Sequence, residues 1–148
     1  MLRFAKTVLG IILRHPLPGV TIIPVATDGS IVLVRRRDTG TWSLPGGLVD
    51  WGEDLTTTAT RELKEETGLD LVQIRRLVGV YSSLNRDPRM HSIAILVEAE
   101  VKGDLQVQDN AEITEVAYFT PNSIPIESLS HDHTEQIRDY FQGLTRLA

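Results

Sequence analysis

The apolar and polar positions along the chain change period several times. Val20 to Ala26 is rich in β-branched residues, and Ile31 to Val34 is an unbroken apolar run, which predicts a strand covered on both faces. Asp28-Gly29 between them is a hairpin signal. Pro24 lacks an N–H, so its place inside the first run predicts an edge or a bulge. From Leu55 the spacing becomes four. Leu55, Ala59 and Leu63 give a segment over 55–67 one apolar stripe, and Gly68 suits the left-handed turn that closes a helix. Further strands are predicted at Leu77 to Ser83, Ser92 to Val101 and Glu112 to Phe119, with a closing helix from His131 to Leu144. Strands covered by helices in this mixed order predict an α/β fold, an α/β/α sandwich.

The first residues follow a different pattern. Phe4, Val8, Ile11 and Ile12 share one face of a helical projection, and Arg3, Lys6 or Thr7, Gly10 and Arg14 share another. This predicts an amphipathic helix, and His15-Pro16-Leu17-Pro18-Gly19 predicts a hinge into the main domain. The chain therefore divides into 1–18 and 19–148. The apolar face of the helix needs cover, from the domain itself or from a second subunit, and a homodimer in which this segment crosses to, or packs on, the other subunit is the favoured reading. A membrane-surface helix is the alternative.

Bulk composition narrows the chemistry. With 148 residues the chain fits one main domain. A net charge of −5 disfavours general nucleic-acid binding, whereas a small phosphate-rich substrate stays open if metal is bound. No cysteine is present, which excludes disulfides, thiolate zinc sites and cysteine nucleophiles. No apolar run approaches the ~20 residues of a membrane span. These features predict a soluble, cytoplasmic protein.

The candidate chemistry lies on the 55–67 helix and the loop before it. Glu62, Glu65 and Glu66 stand at i, i+3 and i+4, where Cβ atoms are about 5–6 Å apart, so three carboxylates crowd one face. Oxygen donors of this kind suit hard Mg²⁺, which bridges carboxylates to phosphates. A solvated acidic face is the plainer reading of these glutamates alone. Leu44-Pro45-Gly46-Gly47 just upstream changes the balance, because paired glycines let backbone approach a ligand. Arg61 cannot ligate metal, and Glu53 in the loop is free to pair with it.

The whole segment from Gly47 to Leu69, GLVDWGEDLTTTATRELKEETGL, resembles the signature of the Nudix hydrolases at every fixed position: Gly47, Glu53, Arg61, Glu62, Leu63, Glu65, Glu66, Gly68 and Leu69. The resemblance implies a box helix packed on a mixed sheet, with a reaction that cuts the pyrophosphate of a nucleoside diphosphate linked to another group. It also implies that Glu62, Glu65, Glu66 and the Gly46 carbonyl hold one to three Mg²⁺ (or Mn²⁺) ions, and that Glu53 and Arg61 brace the loop against the helix. The absence of cysteine counts against an isoprenoid isomerase of the same fold.

A second set of residues concerns the substrate. Val78-Gly79-Val80-Tyr81-Ser82 and Asn85-Arg86-Asp87-Pro88-Arg89-Met90-His91 are similar to a strand-loop-strand of the ADP-ribose pyrophosphatase branch, as are Thr41-Trp42-Ser43-Leu44 and His131-Asp132-His133. Ser83-Leu84 departs from the Asp-Pro usual there, and that weakens the substrate assignment. Arg86 and Arg89 are candidate grips for phosphate or ribose oxygens. Arg35 and Arg37 face one way along their strand and Arg36 the other, so Arg35 or Arg36 is a candidate for the site. Trp42 and Tyr81 are candidates for stacking a nucleobase. His91, His131 and His133 read as structural, loop or capping residues. For the base that takes a proton from water, the box glutamates, Glu112 and Glu115 are candidates, with Glu112 the best placed of the later ones. ADP-ribose, giving AMP and ribose 5-phosphate, is the leading substrate. The alternatives are another nucleotide sugar, a dinucleotide cofactor, an oxidised nucleoside triphosphate, or a non-catalytic nucleotide-sensing module.

Overall fold

The computed structural model describes Phe4, Ala5, Thr7, Val8 and residues 14–148. In chain order the elements are β1 (Leu17–Val25), β2 (Ile31–Arg36), β3 (Trp42–Ser43), β4 (Gly46–Leu48), α1 (Leu55–Thr67), β5 (Asp70–Tyr81), β6 (Ser92–Lys102), β7 (Ile113–Phe119), a 3-10 turn (Ile126–Ser128), α2 (His133–Phe141) and β8 (Arg146–Leu147). The strands form one mixed sheet, ordered β3-β2-β1-β6-β5-β8, with β4 also paired to β1 and β7 to β2. The β1–β6 and β5–β8 pairs are parallel and the others antiparallel.

The alternation of side chains along the central strands divides the core in two. Val20 and Ile22 of β1, Val32 of β2, and Val97, Ala99 and Val101 of β6 pack under α1 with Ala59, Leu63 and Leu69. Ile23 and Val25, Ile31 and Leu33, and Ala94 and Leu96 face the other way, toward Ile137 of α2. This is the α/β/α sandwich. Ile31 to Val34 is buried throughout, as its unbroken apolar run predicts.

The helix α1 spans the predicted 55–67. Asp54 caps its start by accepting the Thr57 N–H, and Gly68, at φ 79, donates its N–H to the Lys64 carbonyl at the end. Three expectations need correction. First, Pro24 lies in a central strand paired to β6, not at an edge. The Ile22 N–H bonds Pro45 and the Ala26 N–H bonds Ser30, so the missing N–H falls between the places where β1 meets β4 and β2. Second, β5 begins at Asp70, well before Leu77. Its first half mixes polar and apolar residues without a long apolar run, and is held to β6 by pairs such as Gln73 and Arg75 with Glu100. Third, α2 is shorter than the predicted closing helix.

Phe4, Ala5, Thr7 and Val8 are helical. The rest of the predicted amphipathic helix, and the dimer contact built on it, lie outside the described residues. No helix among the described residues is long and apolar enough to cross a membrane.

Candidate active site

The glycine loop is built as a short strand. In β4, Thr21 pairs with Gly46, Val20 with Gly47 and Gly19 with Leu48. Pro45 accepts from Ile22, and Val49 donates to Pro18. Alternation along the strand therefore turns Gly46 and Leu48 away from β1. The Gly46 N–H donates to Glu66 at 3.0 Å, and the Leu48 carbonyl accepts from Arg61 at 3.3 Å. The Gly46 carbonyl leaves the strand on the same side as its N–H, toward the acidic helix. A Cβ on Gly47 would stand 2.1 Å from Oε1 of Glu62, so only glycine lets that carboxylate lie against the loop.

Arg61 joins loop and helix. Its Nε donates to Glu53 Oε1 at 2.8 Å and its Nη2 to Oε2 at 2.9 Å, a two-point bond that fixes the fork in one orientation. The Thr58 hydroxyl adds a third bond to Glu53 at 2.8 Å. These donors, Arg61 first, hold the Glu53 carboxyl at about 2. Arg61 also reaches Glu62 at 2.8 Å and Glu65 at 3.6 Å.

The carboxylates behind this brace are electrostatically costly. Glu66 is 5% exposed. Burial, reinforced by Glu62 and Glu112, pushes its pKa up to about 8 against the opposing Gly46 N–H. Glu62 is also raised, by burial first, with Arg61 opposing and Glu65 and Glu112 adding repulsion. Glu65 is half-exposed. Among the described residues no three acidic or histidine side chains converge at metal-binding distance, and Glu62 bonds Arg61. The donor set nonetheless fits a hard divalent cation. It offers carboxylate and carbonyl oxygens only, and positive charge there would offset the burial, and the lesser repulsion, that raise Glu62 and Glu66.

These groups form one wall of a cleft of about 360 Å³, lined by Gly46, Gly47, Glu62 and Glu66 and also by Arg36, Arg86, Asp87, Arg89, Met90, Glu112, His131 and His133. Arg36 lies at the cleft with its fork on Asp38 at 2.9 and 2.7 Å. Arg89 is half-exposed and doubly bonded to Asp87. Burial would raise Asp87, but the Arg89 side chain and N–H hold it at about 2. His131, in left-handed backbone at φ 54, also faces the cleft, and its buried Nε2 has no partner among the described residues.

Four predicted substrate residues stand elsewhere or are already engaged. Arg35 turns outward to Gly40 and Glu115 and lies over the Trp42 ring. Trp42 packs edge-on against Phe119, with centroids 4.9 Å apart, outside the cleft lining. Tyr81 is 2% exposed, and its hydroxyl donates to Asp139 at 2.7 Å, so it has no free ring face for a base. Burial and that carboxylate raise its phenol pKa. Arg86 does border the cleft, but its Nε and Nη2 bond Asp132 at 3.0 and 3.1 Å and its Nη1 bonds Ser92. It is a strut between the 82–91 loop and the start of α2.

Glu112 sits just before β7 at the cleft, whereas Glu115 pairs with Arg35 and does not line it. A register shift lies between them. Arg35 pairs with Glu115 but Arg36 with Ile113, leaving Thr114 as the extra residue of a bulge, a device that re-aims neighbouring side chains. The Glu112 loop has two anchors. Gln108 and Asp109 donate their N–H groups to the Glu65 carbonyl of α1. Arg37 grips the Asn110 carbonyl at 3.2 and 2.8 Å, and its backbone N–H bonds the Glu112 carbonyl at 2.8 Å. Arg37 carries no signal of this role in the sequence, whereas the local pairing of Asp87 with Arg89 is what a loop holding both residues allows. The tripeptide His131-Asp132-His133 does stand out, though not for the contacts it makes.

Comparison with known proteins agrees with this geometry. The sequence pattern of the NUDIX domain matches residues 15–140. An ADP-ribose pyrophosphatase from Methanocaldococcus jannaschii is 39% identical over 132 residues, which cover 86% of this chain and 75% of that protein. A MutT-like protein from Streptomyces ambofaciens is 31% identical over 130 residues, 86% of this chain and 80% of its own. The NUDIX domain of Shewanella oneidensis NrtR, solved with ADP ribose, shares the fold at a TM-score of 0.78 and 23% identity, over 94% of this chain and 97% of that one.

Proposed function

The chain belongs to the Nudix hydrolases, and from that premise we propose that it hydrolyses the pyrophosphate of ADP-ribose to give AMP and ribose 5-phosphate. The observation that carries the substrate is the 39% identity to an ADP-ribose pyrophosphatase over most of both chains. The cleft supports it with a glycine loop, buried carboxylates and cationic side chains on opposite walls.

In this reading Glu62, Glu65, Glu66 and the Gly46 carbonyl hold Mg²⁺ (or Mn²⁺), which when bound offsets phosphate charge and acidifies water. The residues of the chain do the rest. The Glu53–Arg61 brace fixes the loop to α1, so that the Gly46 carbonyl and the carboxylates keep one spacing. Arg36 and Arg89 direct N–H donors and positive charge toward the diphosphate. Glu112 accepts a proton from the water whose oxygen bonds phosphorus, as the bond from phosphorus to the bridging oxygen breaks.

The test is product analysis with a panel of ADP-ribose, other nucleotide sugars, dinucleotide cofactors and oxidised nucleoside triphosphates, with Mg²⁺ and with chelator. AMP release from ADP-ribose that stops with chelator is the expected result. Preferred cleavage of another member of the panel would refute ADP-ribose. Binding of ADP-ribose without hydrolysis at saturating Mg²⁺ would mark a sensing module.

A further inference from the structure

We infer that His133 presents an Nε2–H into the cleft as a neutral hydrogen-bond donor to an oxygen of the bound substrate. This rests on the cleft being the nucleotide site of the proposed reaction. The argument begins with the other ring nitrogen. The Leu44 N–H lies 3.0 Å from His133 Nδ1. A backbone amide can only donate, so Nδ1 must accept and carries no proton. A neutral imidazole then holds its proton on Nε2.

Neutrality follows from position. His133 is 8% exposed, and burial, more than any neighbour, lowers its pKa well below the ordinary value. His131, Arg86 and Arg36 push in the same direction, with only Asp132 opposing among the charges that act on it. No group among the described residues bonds Nε2, although His133 lines the cleft beside Leu44 and Gly46. Among the described residues Nε2 is not one of the fully buried unpartnered atoms, so it is open on one side, and that side is the cleft, where a ligand oxygen can take the place of water.

The ring is also held in place. Leu44 fixes one edge. The backbone N–H of His133 donates to Ser130 at 3.1 Å, and the adjoining Asp132 is gripped by Arg86. A donor on such a support loses little rotamer freedom when a ligand arrives. The competing account is that His133 only anchors Leu44 and, through it, the glycine loop.

Two isosteres separate the accounts. In His133→Asn the amide oxygen takes the place of Nδ1, keeping the Leu44 bond and losing the donor. In His133→Gln the amide nitrogen takes the place of Nε2, keeping the donor and losing the Leu44 bond. For the donor role, His133→Asn raises KM about 3- to 10-fold with kcat within about 2-fold of wild type, the size of one neutral hydrogen bond. His133→Gln keeps a near-normal KM and loses thermal stability. Unchanged KM in His133→Asn would overturn the proposal in favour of the anchor.

The kinetics use ADP-ribose, or the member of the panel that the wild-type protein hydrolyses. Failure of ADP-ribose turnover thus counts against the substrate reading, and the His133 comparison is still made. Long-range proton–nitrogen NMR of the imidazoles gives a readout that needs no variant. The expected spectrum at pH 7 shows His133 as the neutral Nε2–H form, with that resonance moving when AMP is added. An Nδ1–H or doubly protonated ring, or a resonance that AMP leaves in place, would overturn the assignment.

Discussion

Replacing Arg86 by alanine should unfold the protein more than it weakens substrate binding. The Arg86 and Asp132 side chains are 7% and 11% exposed, and two N–H donors of the guanidinium meet the two carboxylate oxygens. A third donor bonds Ser92. Asp132 stands at the N-cap of α2 yet caps no helix amide, because its carboxylate is turned to Arg86 and to the Gln136 amide. Truncation would leave that buried carboxylate with Gln136 alone. Removing one partner of a buried pair costs about 3–5 kcal/mol, against a typical domain stability of about 5–15 kcal/mol. At about 2–4 °C per kcal/mol for a domain of this size, Tm should fall by roughly 10 °C. Urea denaturation and calorimetry at pH 7 measure it directly. The double variant Arg86→Met with Asp132→Leu should recover much of the loss, because neither side then leaves a lone charge. An Arg86→Ala protein with wild-type Tm and a tenfold higher KM would refute the reasoning and return Arg86 to the substrate.

Two other changes test the site. In chelator, the folded-state pKa of Glu66, about 8, lies above the ordinary value of 4.5. The folded protein therefore keeps a proton that the unfolded chain releases, and stability falls as pH rises from 4.5 to 8. Glu66→Gln should flatten this part of the Tm–pH curve, raise Tm at pH 8 and lower turnover by about 100-fold or more; an unchanged slope would count against the cause. Arg37 holds the loop of Glu112 rather than the cleft. Arg37→Ala should lower kcat about tenfold through misplacement of that carboxylate, with KM within about 2-fold; steady-state kinetics that show a raised KM and normal kcat would contradict this.

The parts legible in the sequence are those whose partners are near in the chain. Glu53 and Arg61 are 8 residues apart, Gly46 and Glu66 are 20 apart, and one loop and one helix suffice to bring them together. The box helix is readable for the same reason, since stripe, N-cap and closing glycine all lie within its own segment. The misplaced residues depend on distant partners. Tyr81 finds Asp139 58 residues on, Arg35 finds Glu115 80 residues on, and Arg86 finds Asp132 46 residues on. His133 and Leu44 are 89 residues apart.

Strand register adds to the difficulty, because side chains alternate with a period of two and one extra residue reverses the face. The β5–β6 pairing shifts at three places, and β2–β7 shifts where Arg36 turns to the cleft and Arg35 away from it. Alternation separates Arg35 from Arg36, but only the packing of β7 and the 82–91 loop says which of the two faces the substrate. The short β3 and β4 strands have no pattern of their own and exist through their pairing to β2 and β1. Local spacing therefore specifies the acidic, metal-binding half of the proposed site, and long-range packing specifies the cationic, substrate-facing half. A substitution in the second half changes both the stability of the fold and the shape of the cleft, so binding constants there are interpretable only beside a measured Tm.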